Sequence, residues 1–133
     1  MSTPGCSHQG VVNSQLAAAF ALIPAYAQQV ATCTHLDHVQ ITELPESVLG
    51  CEDCLATGDE WLHLRICLEC GKVGCCDDSP NQHATAHAQA SDHPIIRSLQ
   101  PGETWSWCYL DETAMVIPEV RGNTRIPPSP LGG

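Results

Sequence analysis

Apolar and polar positions change rhythm several times along the chain, and each change marks a predicted element. Trp61-Leu62-His63-Leu64-Arg65-Ile66 alternates in the manner of a half-buried strand. Gly71 follows Cys70 where a tight turn needs a residue without a Cβ, and Lys72-Val73-Gly74 reads as a short return strand. Asp78-Ser79-Pro80 has the form of a helix start, a capping side chain ahead of a first-turn proline, and the Ala- and Gln-rich stretch Asn81 to Ala90 continues it. Ile95 to Leu99 and Thr104 to Leu110 read as strands joined through Pro101-Gly102, with Ala114 to Ile117 as a last short strand. Cys33 to Leu49, punctuated by Pro45 and Gly50, reads as an extended lead-in and turn. From Pro118 onward, Pro127, Pro128, Pro130 and Gly132-Gly133 predict a disordered tail over 118–133, leaving 32–117 as the organised unit.

Residues 1–31 have a different texture. Gln15 to Ala31 is Ala-rich and uncharged, which predicts a flexible or weakly helical leader. Ala25-Tyr26-Ala27 has the small-x-small form of a signal-peptidase site, but no positive region precedes it, so the expected location is cytoplasmic. No apolar run is long enough for a transmembrane helix.

Charge narrows the partners. Five Lys and Arg against fifteen Asp and Glu give a formal net charge of −10, and the first basic residue is Arg65. Nucleic acid and anionic membranes both require a basic surface, so neither is an expected partner. A monomer is expected.

Cysteine then changes the picture of how the chain folds. Nine Cys and seven His stand beside only six aromatic residues, so apolar burial is thin and cross-links or metals are needed. An odd cysteine count suits a disulfide framework poorly, and the spacing argues further against one. Cys51-x2-Cys54 and Cys67-x2-Cys70 are separated by twelve residues. A tight turn in each pair can bring both thiolates to about 2.3 Å from one zinc ion, whereas a disulfide across so short a loop is strained. Further donors follow at Cys75, His83, His87 and His93, with His83 and His87 one helical turn apart on one face. Cys76 abuts Cys75 and competes with it as a ligand. His38 and His63 read as surface or packing residues, and Cys6 and Cys76 as spare thiols.

This constellation, with Cys33-x-His35 ahead of it, Trp107-Cys108-Tyr109 behind it and Leu64-Arg65-Ile66-Cys67-Leu68-Glu69-Cys70-Gly71-Lys72-Val73-Gly74-Cys75 at its centre, resembles the UBP-type zinc finger. That is the ubiquitin-binding module of ubiquitin-specific proteases and of one histone deacetylase, and the resemblance runs from about Cys33 to Ile117. It implies a small α+β domain: a twisted antiparallel sheet with one or two helices, stapled by two or three Zn2+. It further implies that Cys51, Cys54, Cys75 and His83 share one ion and Cys67, Cys70, His87 and His93 a second. At the third site Cys33, His35 and Cys108 match, but Asp111 stands where the family has its last Cys. A carboxylate also ligates zinc, although thiolates are commoner in structural sites.

By the same resemblance, the family's pocket captures the free diglycine terminus of ubiquitin, using an Arg and aromatic walls. Here Asp77 replaces that Arg, Arg65 replaces a pocket Trp and Ala114 replaces a Tyr, while Trp107 and Tyr109 are retained. The expected ligand residues are Arg65, Trp107 and Tyr109, with Arg65 as a relocated anion anchor. The expected partner is a protein or peptide terminus, and the altered pocket argues against ubiquitin itself. Trp105 and Trp107 share a strand face, with one of them expected in the core. The expected function is a non-catalytic zinc-binding interaction module. Its alternatives are a labile-zinc or redox protein, or a zinc hydrolase at Cys33-His35-Cys108-Asp111 with Glu112 as a nearby base. The chain itself ends Leu131-Gly132-Gly133, the diglycine that such a pocket takes.

Overall fold

The computed structural model describes residues 33–132; the leader over 1–31, Cys6 and Gly133 lie outside them. Five strands, β1 (Leu64–Cys67), β2 (Val73–Cys75), β3 (Ile95–Ser98), β4 (Trp105–Cys108) and β5 (Thr113–Val116), make one antiparallel sheet in the order β2-β1-β3-β4-β5. Two helices, α1 (Glu52–Thr57) and α2 (His83–Ser91), and a 3-10 turn at Leu36–His38 complete an α+β domain of the class expected. The strands fall near their expected places: β3 and β4 lie inside the expected runs, β2 and β5 are offset along the chain, and β1 starts only at Leu64 and runs on to Cys67. No described helix is long and apolar enough to cross a membrane.

Strand side chains alternate between faces, and register decides which of them meet. Leu64 faces Cys75, Ile66 faces Val73, Ile95 faces Cys108 and Met115 faces Ser106. One face of the sheet therefore gathers Leu64, Ile66, Val73, Ile95 and Met115, none more than 4% exposed. Leu44, Trp61, Ile117 and Val120 belong to the same core. Full burial of such a side chain contributes about 1.5–3 kcal/mol. The opposite face carries Arg65 across from Ser98, and Ile96 across from Trp107.

Helix α2 lies against β2 at unusually short range. A Cβ on Gly74 would stand 2.7 Å from the Ala84 backbone nitrogen, so only glycine lets the helix sit there. Its start differs from the predicted one. Ser79 does not cap it; its hydroxyl accepts the Leu62 N–H at 2.8 Å. The helix opens at His83, after Gln82 in a left-handed conformation, and the His83 N–H is satisfied by Cys75 Sγ at 3.2 Å. A thiol sulphur thus stands in for the capping oxygen. The same device explains α1, which the sequence reads only as a tight turn: Cys51 is its N-cap, with Sγ accepting the Cys54 N–H, and left-handed Gly58 ends it.

The C-terminal segment corrects the expectation of a disordered tail. Arg121 bonds to Thr42 and Leu44, and Arg125 to Glu46 and Val48, through backbone hydrogen bonds of 2.8–3.1 Å. Thr124 Oγ1 donates to Pro45 O, and Ser129 Oγ to Trp61 O. Val120 is 7% exposed, and Ile126 packs against the core. Proline removes an N–H at its own position only; the residues between still pair and bury apolar side chains.

Val120→Ala should destabilise the fold by about 1–2 kcal/mol, read as a lower urea midpoint at unchanged slope. Gly74→Ala should cost about 1–3 kcal/mol through overpacking against α2, and loosen metal retention in a chelator challenge because α2 carries two candidate ligands.

Candidate functional site

Three clusters of donor side chains form among the described residues: Cys51, Cys54, Cys75 and His83; Cys67, Cys70, His87 and His93; Cys33, His35, Cys108 and Asp111. In the first, His83 Nδ1 lies 3.2, 3.3 and 3.6 Å from the sulphurs of Cys51, Cys54 and Cys75. In the second, Cys67 Sγ is 3.5 Å from His93 Nδ1, and Cys70 Sγ is 3.3 Å from His87 Nε2. In the third, His35 Nδ1 lies 3.5 Å from Cys108 Sγ and 3.4 Å from Asp111 Oδ2. A tetrahedral zinc with ordinary bond lengths spaces its donors roughly 3.3–3.8 Å apart, so all three fit the ion.

The clusters assemble because local backbone turns carry their donors in pairs. Cys67 Sγ accepts the N–H groups of Glu69 and Cys70, and left-handed Gly71 completes that turn. Cys33 Sγ accepts the His35 N–H at 3.2 Å, and Cys108 Sγ accepts that of Asp111 at 3.4 Å. Such N–H···S bonds favour the thiolate, the form that binds metal. Burial works against them, pushing Cys51, Cys54 and Cys67 above the ordinary thiol range. A divalent cation resolves that conflict. Burial, aided by His93, also lowers the pKa of His87, which keeps its imidazole neutral and able to ligate.

Asp111 gives the sharpest test of fit at the third cluster. Its side chain is only 2% exposed, and Oδ2 accepts the Thr34 N–H at 2.9 Å. The other oxygen, Oδ1, is buried and has no hydrogen-bond partner. An orphaned carboxylate oxygen beside two thiols and an imidazole suits a metal ligand. A hydrogen bond from Cys33 brings Cys108 down to about 6, while Cys33 itself is raised, so the pair shares a proton as crowded ligands do.

Cys75, and not its neighbour, enters the first cluster; Cys76 is buried with Sγ 3.4 Å from Ser79 Oγ. His38 pairs with Glu69 at 3.0 Å, outside every cluster.

Arg65, Trp107 and Tyr109 do come together, on the sheet face against which α2 packs. They line a recess of about 220 Å³ with Trp105, Ile96 and Asp77. The Arg65 guanidinium lies 4.7 Å from the Trp105 ring centroid, and its Nη1 donates to Leu64 O and Ser98 Oγ. Glu103 Oε1 is 4.0 Å from Nη1. Neither Trp105 nor Trp107 is buried, which corrects the expectation that one of them fills the core. Both alternate with buried Ser106 and Cys108, so they share the groove side. Tyr109 is held above its usual pKa by burial and remains a neutral hydroxyl. Sequence reasoning missed Thr85, which lies 3.1 Å from Tyr109 OH and also bonds Asp77; nothing in the helical pattern distinguishes it.

The fold and its donor clusters define a zinc-binding module built for interaction, with its metals in the frame and an aromatic groove on one sheet face. The chain belongs to the family described as "Zn-finger in ubiquitin-hydrolases and other protein", whose model matches residues 51–119, just over half of it. It is 29% identical over 102 residues to ubiquitin carboxyl-terminal hydrolase 14 of Saccharomyces cerevisiae, covering 67% of this chain and 12% of that protein. It is 32% identical over 104 residues to histone deacetylase 6 of Caenorhabditis elegans, covering 74% of this chain and 10% of that protein. The chain thus spans about a tenth of these relatives. The solution NMR structure of protein RPA1320 from Rhodopseudomonas palustris is similar at 46% identity and a TM-score of 0.57, covering 68% of this chain and 91% of that one.

Replacing Asp111 with Ala should remove one metal per chain in native mass spectrometry, with the other two clusters still loaded.

Proposed function

We propose that this chain is a zinc-braced module that binds the free C-terminus of a protein or peptide in the Arg65 recess, with its twelve cluster residues holding three structural zinc ions. Each cluster offers four donors, which suits a closed structural site more than a catalytic one with an open position. The zinc ions would fix the loops around the groove and supply no chemistry to a ligand.

The observation that carries the reading is the state of Arg65. Its side chain is 13% exposed, stacked on Trp105 and tied down, among the described residues, through Nη1. The guanidinium is already oriented, so little side-chain entropy is lost when a carboxylate meets its remaining donors. Trp107 and Tyr109 wall the recess, as aromatic side chains wall other sites that take a peptide terminus. Ubiquitin's own terminus is not the favoured ligand, because three residues of the family's pocket differ here, at Arg65, Asp77 and Ala114. A high net negative charge opposes nucleic acid and self-association, which supports a monomer. Eight free cysteines among the described residues suit a reducing compartment such as the cytoplasm.

The test compares one fluorescent peptide with a free carboxylate against its amide on the zinc-loaded protein. The carboxylate should bind at least tenfold tighter, and Arg65→Ala should erase the difference without changing zinc content. Equal affinity for acid and amide would sink the reading.

A further inference from the structure

Four of the five basic side chains have an acidic partner: Arg65 has Glu103, Lys72 has Asp53, Arg121 has Glu43 and Arg125 has Glu46. Arg97 has none among the described residues, and residues 1–32 contain no Asp or Glu. It is nevertheless the most deeply buried of the five, at 8% exposure. Carboxylates are not scarce in a chain with fifteen Asp and Glu; position keeps them away. Register sets Arg97 on the apolar face of the sheet, between Ile66 of β1 and Ser106 of β4. Glu103, close in sequence, is engaged elsewhere, where it meets Arg65 and accepts the Ser98 hydroxyl. The Arg97 guanidinium has several N–H donors, and Nη1 donates to Ser98 O at 2.8 Å. Burial alone holds its pKa below the ordinary arginine range. A buried charge without a counterion is costly, so ions in such places are paired. Ser106 brings a second, independent donor. It is 1% exposed and directly across from Arg97, and its hydroxyl has no hydrogen-bond partner among the described residues.

We propose that Arg97 and Ser106 hold a chloride ion as an internal counterion between β3 and β4. Side chains facing each other across an antiparallel pair have Cβ atoms about 4.5–5.5 Å apart, within reach of one bridging ion. Guanidinium N–H groups and a serine hydroxyl both donate to an anion. Guanidinium is weakly hydrated beside an ammonium, which suits it to a buried pair. The near-closure of both side chains favours a compact monatomic anion over an organic acid or a peptide. The ion neutralises the buried cation and ties the two strands together from the apolar side. The site lies on the opposite sheet face from Arg65, by register, and does not rest on the carboxylate reading.

The probe is the halide itself, on the zinc-loaded full chain. An anion that binds only the folded state stabilises it in proportion to its concentration above the dissociation constant. At an ionic strength held constant with gluconate, raising chloride from about 10 to about 300 mM should lower the urea-unfolding equilibrium constant about tenfold. Arg97→Met should abolish that dependence, and Ser106→Ala should weaken it, with zinc content unchanged in both. Chloride NMR reads binding directly: wild type should broaden the line, and Arg97→Met should lose most of the broadening. A chloride dependence or a broadening equal in wild type and Arg97→Met would overturn the proposal. Should Arg97→Met fail to fold, the wild-type chain decides by itself. Crystals grown in bromide should show an anomalous peak between Arg97 and Ser106. Anomalous peaks at the exposed Arg121 or Arg125 and none at Arg97 would mean an adventitious ion only, and the buried site would fall. No dependence of wild-type stability on chloride would dismiss it equally.

Discussion

Two histidines one turn apart on a nine-residue helix set the architecture of the whole module. His83 of α2 joins the cluster built from the start of α1 and the end of β2; His87 joins the one built from the β1–β2 turn and the approach to β3. The two clusters therefore interleave, and neither can form without placing the helix. Apolar burial contributes little to that placement, since only Ala84 and Ala88 of α2 are buried. Metal binding energy becomes folding energy in such a design, because the donors converge only in the folded chain. Gly74 is the complementary concession: the helix goes where the ligands require, and the strand beneath it gives up its side chain.

The third cluster repeats this logic at the other edge of the sheet. It ties the lead-in at Cys33 and His35 to the turn between β4 and β5, where Cys108 and Asp111 stand. The lead-in then continues along the C-terminal segment, and together they cover the apolar face of the sheet. With that face closed by chain and metal, few aromatics are needed inside. Trp61 is the one Trp in the core, which leaves Trp105, Trp107 and Tyr109 for the groove.

What the sequence made legible follows from how local each signal is. Donor pairs at short spacing are local, so the two C-x2-C pairs and the donors that follow them are legible in the sequence, whereas the third set, with Asp111, is named only through the family resemblance. Strand alternation is local too, so Trp105 and Trp107 could be placed on one face. Which face that was depended on partners far away in the chain, and there the reading failed. The C-terminal segment failed for a related reason: proline and glycine describe what a residue can do by itself, whereas Val120 and Arg121 are held by Thr42 and Leu44, nearly eighty residues upstream. The start of α2 was misplaced and α1 was read only as a turn because capping rules look for oxygen, and here sulphur serves.

The groove shows what a metal frame allows. Arg65 and Asp77 line the same recess, yet they make no ion pair. Left mobile, opposite charges so placed would tend to neutralise each other. Arg65 is kept apart by stacking on Trp105 and by its bonds to Ser98 and Leu64; Asp77 is kept apart by Thr85, whose helix is anchored through His83 and His87. Separated charge of this kind stores electrostatic free energy that a ligand of matching polarity releases on binding. A flexible surface could not maintain it, since solvent and rotamer freedom would screen or collapse the pair. Zinc ions held in the clusters would therefore act on the groove through rigidity: they would fix the elements on which its two ends are mounted, and with them the distance between its charges.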